Sequence, residues 1–368
     1  MASSMGARDI MRDRAQYILV LNASEGRIQF LVARGDATQA RPDASEAGGY
    51  DILCAQDWQA ASQGAELLAP ALSDAFDRLG VKARDLDRIA CVRGPGSFTG
   101  LRLVLATAAG LARSCKALLA GLDYLPLLAA NAFSSGIAEL TAHGPADVAR
   151  ASLWVVSHAR RKLVHMQCFA WPAKGKAAAP LSDILVCTVP EAAALVLAGH
   201  SRPYAPAGQN GPGTDAPAPA AAGAGGGMQS ITPGNGPGCL PGPLLLGSGL
   251  SRNRPAFAEA FAAHGIFVPE SNTVGAGTLW PPEAFYSSNG DSSGSAVPLM
   301  LPECFDQPSP QALLAAALAA EYGRQDITAL YARASDAEEN LEQIARSLGL
   351  DPVQARQRLN ELTAPLGR

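Results

Sequence analysis

The sequence predicts an α/β protein made of two related halves, and three observations carry that prediction. A hairpin signal at 17–36, "YILVLNASEGRIQFLVARGD", is followed by a third strand and then by alternating helix and strand. The same order begins again at 151 with "ASLWVVSHARRKLVHMQCFAW". Each half also places a glycine turn between an apolar strand and a helix, "RGPGSFTG" at 93–100 and "LGSGLS" at 246–251. The repeat is one of element order and not of residue identity.

In the first half, two apolar runs flank "ASEGR", which has turn chemistry, and "YDILCA" (50–55) supplies the third strand. Residues 58–79 have helical spacing, with Pro70 as a kink point and Gly80 as a stop that tolerates positive φ. "DRIACVRG" (87–94) is a buried strand. The helix opened by the glycine loop follows, then "ALLAGL" (117–122) and an apolar helix near 123–142.

In the second half, "ILVCTV" (184–189) follows the hairpin, whose turn is Arg160 to Lys162. "PEAAALVLAG" is a helix with Pro190 in its first turn. Residues 243–265 read as strand, glycine turn and helix. Residues 309–323 read as a helix with Ser309 as N-cap, Pro310 at its first position and Gly323 past its end.

Two stretches interrupt this order. Residues 202–243 are almost all Gly, Pro and Ala, and 281–308 contain "SSNGDSSGS"; neither can bury enough side chain to offset ordering, so both are expected to be disordered insertions. The boundaries are then a flexible tail at 1–16, a first domain at 17–145, a second, degenerate domain at 146–334 and a helical tail at 335–368. That tail reads as two short helices broken at Gly349–Pro352. Its acidic residues (Asp336, Glu338, Glu339, Glu342, Asp351, Glu361) outnumber Arg346, Arg356 and Arg358, which disfavours DNA phosphates as its target.

Composition narrows the function classes. The 368 residues are 48% hydrophobic and 17% charged, with a formal charge of −4 and no basic excess for wrapping nucleic acid. Seven scattered cysteines form no CxxC pair, so zinc ribbons and thioredoxin-like chemistry are not expected, and reduced, buried thiols are. Residues 1–16 carry Arg8, Arg12 and Arg14 without an apolar core and do not read as a secretory signal. The longest apolar run lies between Arg102 and Arg113, short of the roughly 20 residues that span a membrane. A cytoplasmic protein without a membrane partner is expected.

The loop Gly94-Pro95-Gly96-Ser97-Phe98-Thr99-Gly100 is the strongest local signal. It is neither a Walker loop nor a dinucleotide fingerprint: Gly94 and Gly100 are one position too far apart, and Leu101 stands where a lysine would. It also lacks the GxSxG spacing of a serine elbow. Free N–H groups at a helix start can still take an anion unaided.

On the helix that follows, Leu101, Val104, Leu105, Ala108, Leu111, Ala112 and Cys115 form one stripe for packing on a sheet. The opposite stripe is Leu103, Ala106, Thr107, Gly110 and Ser114, flanked by Arg102 and Arg113. A helix without a polar face is buried on both sides, and small residues permit close helix approach. Two readings remain open: the second face lies under the chain's own second half, or it meets another chain.

"VRGPGSFTGLR" (92–102) resembles the signature of the TsaB family, the dimerization subunit of the bacterial complex that installs threonylcarbamoyl on the adenosine beside the tRNA anticodon. "ILVLNASEGRIQFLV", "AELLAPALSDAF", "SHARRKLVHMQCF", "LGSGLSRNRPAF" and "ITALYARASDAEENL" are similar to other segments of that family, so the resemblance runs from about Tyr17 to Leu341 outside the two insertions. It implies duplicated acetate kinase/Hsp70/actin-like (ribonuclease H-like) domains, the first of them Gcp-like. It also implies that the outer stripe binds a TsaD-like catalytic subunit, or a second copy of the chain when alone. An ATPase subunit joins the larger complex, and tRNA is met only through that complex. ATP and a metal are expected on the partner subunit, and none is assigned to this chain.

Catalytic relatives carry an aspartate where this chain has Asn22, and commonly one where His158 stands. The paralogue's metal-binding histidines, four apart on one helix face, correspond to Asp123 and Leu127. The five histidines here (His143, His158, His165, His200, His264) form no HxxxH pair. A non-catalytic scaffold is therefore expected, the alternative being an enzyme of the same fold, a small-molecule kinase or metallopeptidase-like hydrolase.

Overall fold

The computed structural model describes residues 15–35, 49–59, 64–134, 152–160, 162–170, 178–199, 243–266, 298–301, 303–332, 341–347 and 349–363. The expectations for 1–14, for the insertion at 202–242, for 281–297, for the boundary at 145/146 and for 335–340 lie outside these residues, as do His143, His200 and Cys239.

The first sheet contains β1 (Gln16–Asn22), β2 (Arg27–Gly35), β3 (Tyr50–Gln59), β4 (Leu86–Gly94) and β5 (Leu118–Asp123), in the order β3-β2-β1-β4-β5. β2 runs antiparallel to both β1 and β3, and β4 and β5 run parallel to β1. The second sheet is built from β6 (Leu153–Arg160), β7 (Leu163–Ala170), β8 (Ala179–Pro180), β9 (Leu185–Thr188), β10 (Leu244–Leu246) and β11 (Leu299–Met300). Its order is β11-β10-β6-β7-β8, with β9 also on β7. Here too the first strand has an antiparallel hairpin partner on one side and parallel strands on the other. The two sheets thus repeat one topology, and the fold is a duplicated α/β architecture of the actin-like, ribonuclease H-like type.

Strand alternation builds the layers. Leu19 and Leu21 of β1 face an outer core shared with α1 (Gly64–Leu79) and α2 (Phe98–Cys115). Ile18 and Val20 face a central core shared with α3 (Tyr124–Ser134), α7 (Pro310–Ala319) and Leu153 and Val155 of β6. Trp154 and Val156 turn the other way, onto a third core with α4 (Val189–Ala198) and α6 (Arg254–Ala262). Two sheets therefore enclose α3 and α7, with further helices outside each sheet. The short α5 (Ser248–Arg252) lies between β10 and α6, and α8 (Leu341–Ser347) and α9 (Pro352–Thr363) form the tail pair, separated at Gly349 with φ of +68°.

Several sequence expectations shift. β3 continues to Gln59, where a helix was expected from residue 58, because Trp58 packs at a tilt against Phe30, ring centroids 5.5 Å apart, and Asp57 pairs with Arg27 at 2.9 Å. α1 runs through Pro70 and ends at Gly80, φ +65°. α7 keeps Ser309 as its N-cap, the hydroxyl accepting from the Ala312 N–H at 3.2 Å. It stops at Ala319, however, and Gly323 pairs with Leu119 of β5 instead of capping the helix.

The insertion expected at 281–308 is shorter at its end. Leu299–Met300 add a parallel strand to β10, Phe305 is buried, and an Asp306 carboxylate oxygen accepts from the Gly247 N–H at 3.1 Å. Pro298, Pro302 and Pro308 hide this short strand in a breaker-rich stretch. All six described cysteines are unbridged, and burial alone pushes the Cys91 thiol up to about 12.

Candidate functional site

The glycine loop is fixed by its approach to the first hairpin. A Cβ on Gly96 would stand 2.3 Å from the Ser24 carbonyl oxygen, and one on Gly100 would stand 2.0 Å from that of Ala23. Gly94 has φ of +123°, and a Cβ there would meet the Leu330 carbonyl oxygen at 2.5 Å. Only glycine satisfies these positions. The loop amides are used within the chain. Ser97 N–H donates to the Ser24 carbonyl at 2.5 Å, Gly100 N–H to Ser97 Oγ at 3.3 Å and Leu101 N–H to the Ser97 carbonyl at 2.8 Å. Two of the donors that could cradle a phosphate, the Ser97 and Gly100 amides, are committed, and the loop reads as a joint that aims α2.

α2 begins at the Ser97 cap and ends at Lys116 in the left-handed region. Leu101, Val104, Ala108 and Ala112 are buried against the first sheet, while Leu105, Leu111 and Cys115 are half-buried at the edge of that face. The opposite face is open. Ala106, Gly110 and Ser114 are exposed, and no described atom would meet a Cβ on Gly110 within 4 Å. Burial on both sides, expected from the pattern, is therefore not what α2 shows within the described residues. Leu103 is the exception in its stripe: it leans onto the core beside Gly64 of α1.

The hydroxyls of this face bond within the helix. Thr107 Oγ donates to the Leu103 carbonyl at 2.8 Å and Ser114 Oγ to the Leu111 carbonyl at 2.8 Å. A neighbour could cover them without stranding a donor, which keeps desolvation cheap.

The charged flanks differ. Arg102 lies over the Phe98 ring at 3.7 Å, and Phe98 lies 5.4 Å from the Tyr331 ring. Phe98 is 41% and Tyr331 46% exposed, so the open face ends in an aromatic platform. Tyr331 belongs to the closing segment, anchored by Leu330 N–H donating to the Arg93 carbonyl at 2.7 Å. Arg113 pairs with Asp326 of that same segment, so the acid near it comes from its own chain. The loop residues Pro95 and Thr99 sit between these features, Pro95 after a cis peptide and Thr99 in the first turn of α2.

The positions that the resemblance matches to catalytic residues are engaged within the chain. Asn22 is buried: its side-chain N–H donates to Gln29 Oε1 at 2.7 Å, and its oxygen accepts from Ser24 N–H and Oγ–H at 3.1 and 2.9 Å. Asp123 is held by the Arg93 guanidinium at 2.6 and 3.3 Å, and Leu127 is in the central core. His165 pairs across the hairpin with Ser157 and His158 with Val164, so the two rings occupy opposite faces of β6-β7. Burial, then the Arg252 charge, holds His158 below its ordinary pKa. No helix among the described residues is long and apolar enough to cross a membrane.

Residues 58–145 match the family described as TsaD, tRNA N6-adenosine threonylcarbamoyltransferase; the matched span includes the loop and α2. No curated protein sequence matches. Among solved structures, the chain is similar to YeaZ from Pseudomonas aeruginosa, at 21% identity over 47% of this chain and 68% of that one, TM-score 0.35. It is also similar to an uncharacterized protein described as similar to peptidase YEAZ from Pseudomonas aeruginosa, at 17% identity over 65% and 79%, TM-score 0.40. A PPX-GPPA enzyme of Aquifex aeolicus is similar at 7% identity over 50% and 56%, TM-score 0.26. The family match runs through the loop and α2, the residues that spell the TsaB-like signature.

Proposed function

We propose that this chain is the non-catalytic dimerization subunit of a tRNA threonylcarbamoyladenosine-modifying complex, and that it binds a TsaD-like catalytic subunit through the outer face of α2. The single observation that carries this reading is that face. It is exposed, made of small residues, and its hydroxyls are already bonded within the helix. Alone, the chain pairs with a second copy through the same surface. The engagement of Asn22 and Asp123 within the chain favours a scaffold over a catalyst.

Co-expression of the full chain with the TsaD-like protein of the same organism tests the proposal. Light scattering is expected to give a one-to-one heterodimer, and the purified chain alone is expected to show no ATP hydrolysis or proteolysis. A chain that stays monomeric in both settings, or one whose turnover survives repurification, contradicts the reading.

The aromatic platform gives a further expected result. Tyr331→Ala removes a half-exposed ring at the rim of the surface, where aromatic residues often carry binding energy. Calorimetric titration against the partner is expected to show affinity weakened about tenfold with the fold unaffected. Unchanged affinity removes Tyr331 from the interface.

A further inference from the structure

The two halves meet at a buried carboxyl. Glu25 projects from the β1–β2 turn into the end of β6 and the start of α5, 133 residues away in sequence. Its Oε1 accepts from the His158 backbone N–H at 3.2 Å, and Ser248 donates a side-chain hydrogen bond to the same carboxyl. Ser248 Oγ in turn lies 3.2 Å from the His158 N–H. The seat is tight: a Cβ on Gly249 would stand 2.6 Å from the Ser157 carbonyl oxygen, and one on Gly247 would stand 2.3 Å from that of Val156. Yet Glu25 Oε2 is buried without a hydrogen-bond partner. A neutral carboxyl tolerates that position far better than a carboxylate does.

We infer that Glu25 is a proton-controlled latch between the halves, holding the first hairpin against β6 and α5 when neutral and easing that junction when ionised. The groups facing it are His158 on β6, Ser248 and Arg252 on α5, Asp306 beyond β11 and Tyr124 on α3. Burial raises the Glu25 carboxyl from 4.5 to about 7, with Asp306 adding to the rise and Ser248, Arg252 and the His158 amide opposing it. Because the closed state holds the proton more tightly, its advantage is complete below the open-state value of 4.5 and is lost as pH rises to about 7. Closure weakens about tenfold between pH 6 and 8. Asp306, raised by burial from 3.8 to about 6, loses most of its effect below that window.

Hydrogen exchange on the full chain, corrected for intrinsic rates, tests the latch. Protection at His158 and across Ser248–Arg252 is expected to fall about tenfold from pH 6 to 8, while amides of Leu19 and Leu21 in β1 hold steady. Asp306→Asn keeps that fall, and Glu25→Gln abolishes it. Ser248→Ala, which removes a bond to the ionised form, moves the midpoint to higher pH. A flat wild-type profile, a fall shared equally by β1, an unmoved midpoint in Ser248→Ala, or an unchanged profile in Glu25→Gln overturns the inference.

Discussion

Gly100→Ala is expected to destabilise the protein by about 3 kcal/mol, toward the top of the usual cost of forcing extra atoms into a packed site. The new methyl would stand 2.0 Å from the Ala23 carbonyl oxygen, which is backbone and cannot swing aside. Relief requires parting the loop from the hairpin, which strains the Ser97–Ser24 hydrogen bond and shifts the start of α2. Urea unfolding reads the effect directly. Gly110→Ala is the matched control in the same helix. Its methyl meets no described atom beyond its own stretch of helix, so it is expected to stabilise by up to about 1 kcal/mol through helix propensity. A Gly100→Ala protein within 0.5 kcal/mol of wild type would mean that loop and hairpin are not in contact.

The second large effect is on pairing. Thr107→Glu places a carboxylate in the middle of the outer face, and Gly110→Leu fills the space a partner helix would use. Desolvating an unpaired charge or displacing a close-packed helix each costs several kcal/mol at an interface. Either substitution is therefore expected to weaken association with the TsaD-like subunit about a hundredfold or more. Both sites face away from the first-half core, so unfolding midpoints should move little. Circular dichroism and urea titration separate lost pairing from lost fold, and calorimetry measures the affinity. Wild-type affinity in both variants would remove the outer face of α2 from the interface.

What the sequence made legible was local or periodic. The first hairpin shows because a turn-forming run separates two apolar runs, and the duplicated sheet order shows because each half presents its elements in the same sequence. The buried face of α2 was readable at 3.6-residue spacing as Leu101, Val104, Ala108 and Ala112. What escaped depends on partners distant in sequence. β3 extends through Trp58 because of a tilted ring contact with Phe30 and a neighbouring ion pair with Arg27, neither visible in local spacing. Leu103 looked like an outer-face residue because position on a helical wheel does not reveal α1 beside it.

Tyr331 and Glu25 could not be singled out from spacing at all. Tyr331 matters because Leu330 is tied to Arg93, and Glu25 because the second half supplies its seat. Gly96 and Gly100 were visible as a motif, but their role was not. The glycine pattern matched no phosphate motif and left only an unaided anion at the helix start open, and the geometry spends the Ser97 and Gly100 amides on the chain itself. The open face of α2 is a different case: the spacing set Ala106, Gly110 and Ser114 opposite the packing stripe but led to an expectation of burial there, and only the structure shows that the described second half does not lie on them.

The most direct measurement is photo-cross-linking from position 106, on the exposed face of α2, in the complex formed with the TsaD-like subunit. The account predicts a cross-link to that subunit, and to a second copy of the chain when the subunit is withheld. A complex that forms at full affinity with no cross-link from this face would contradict it.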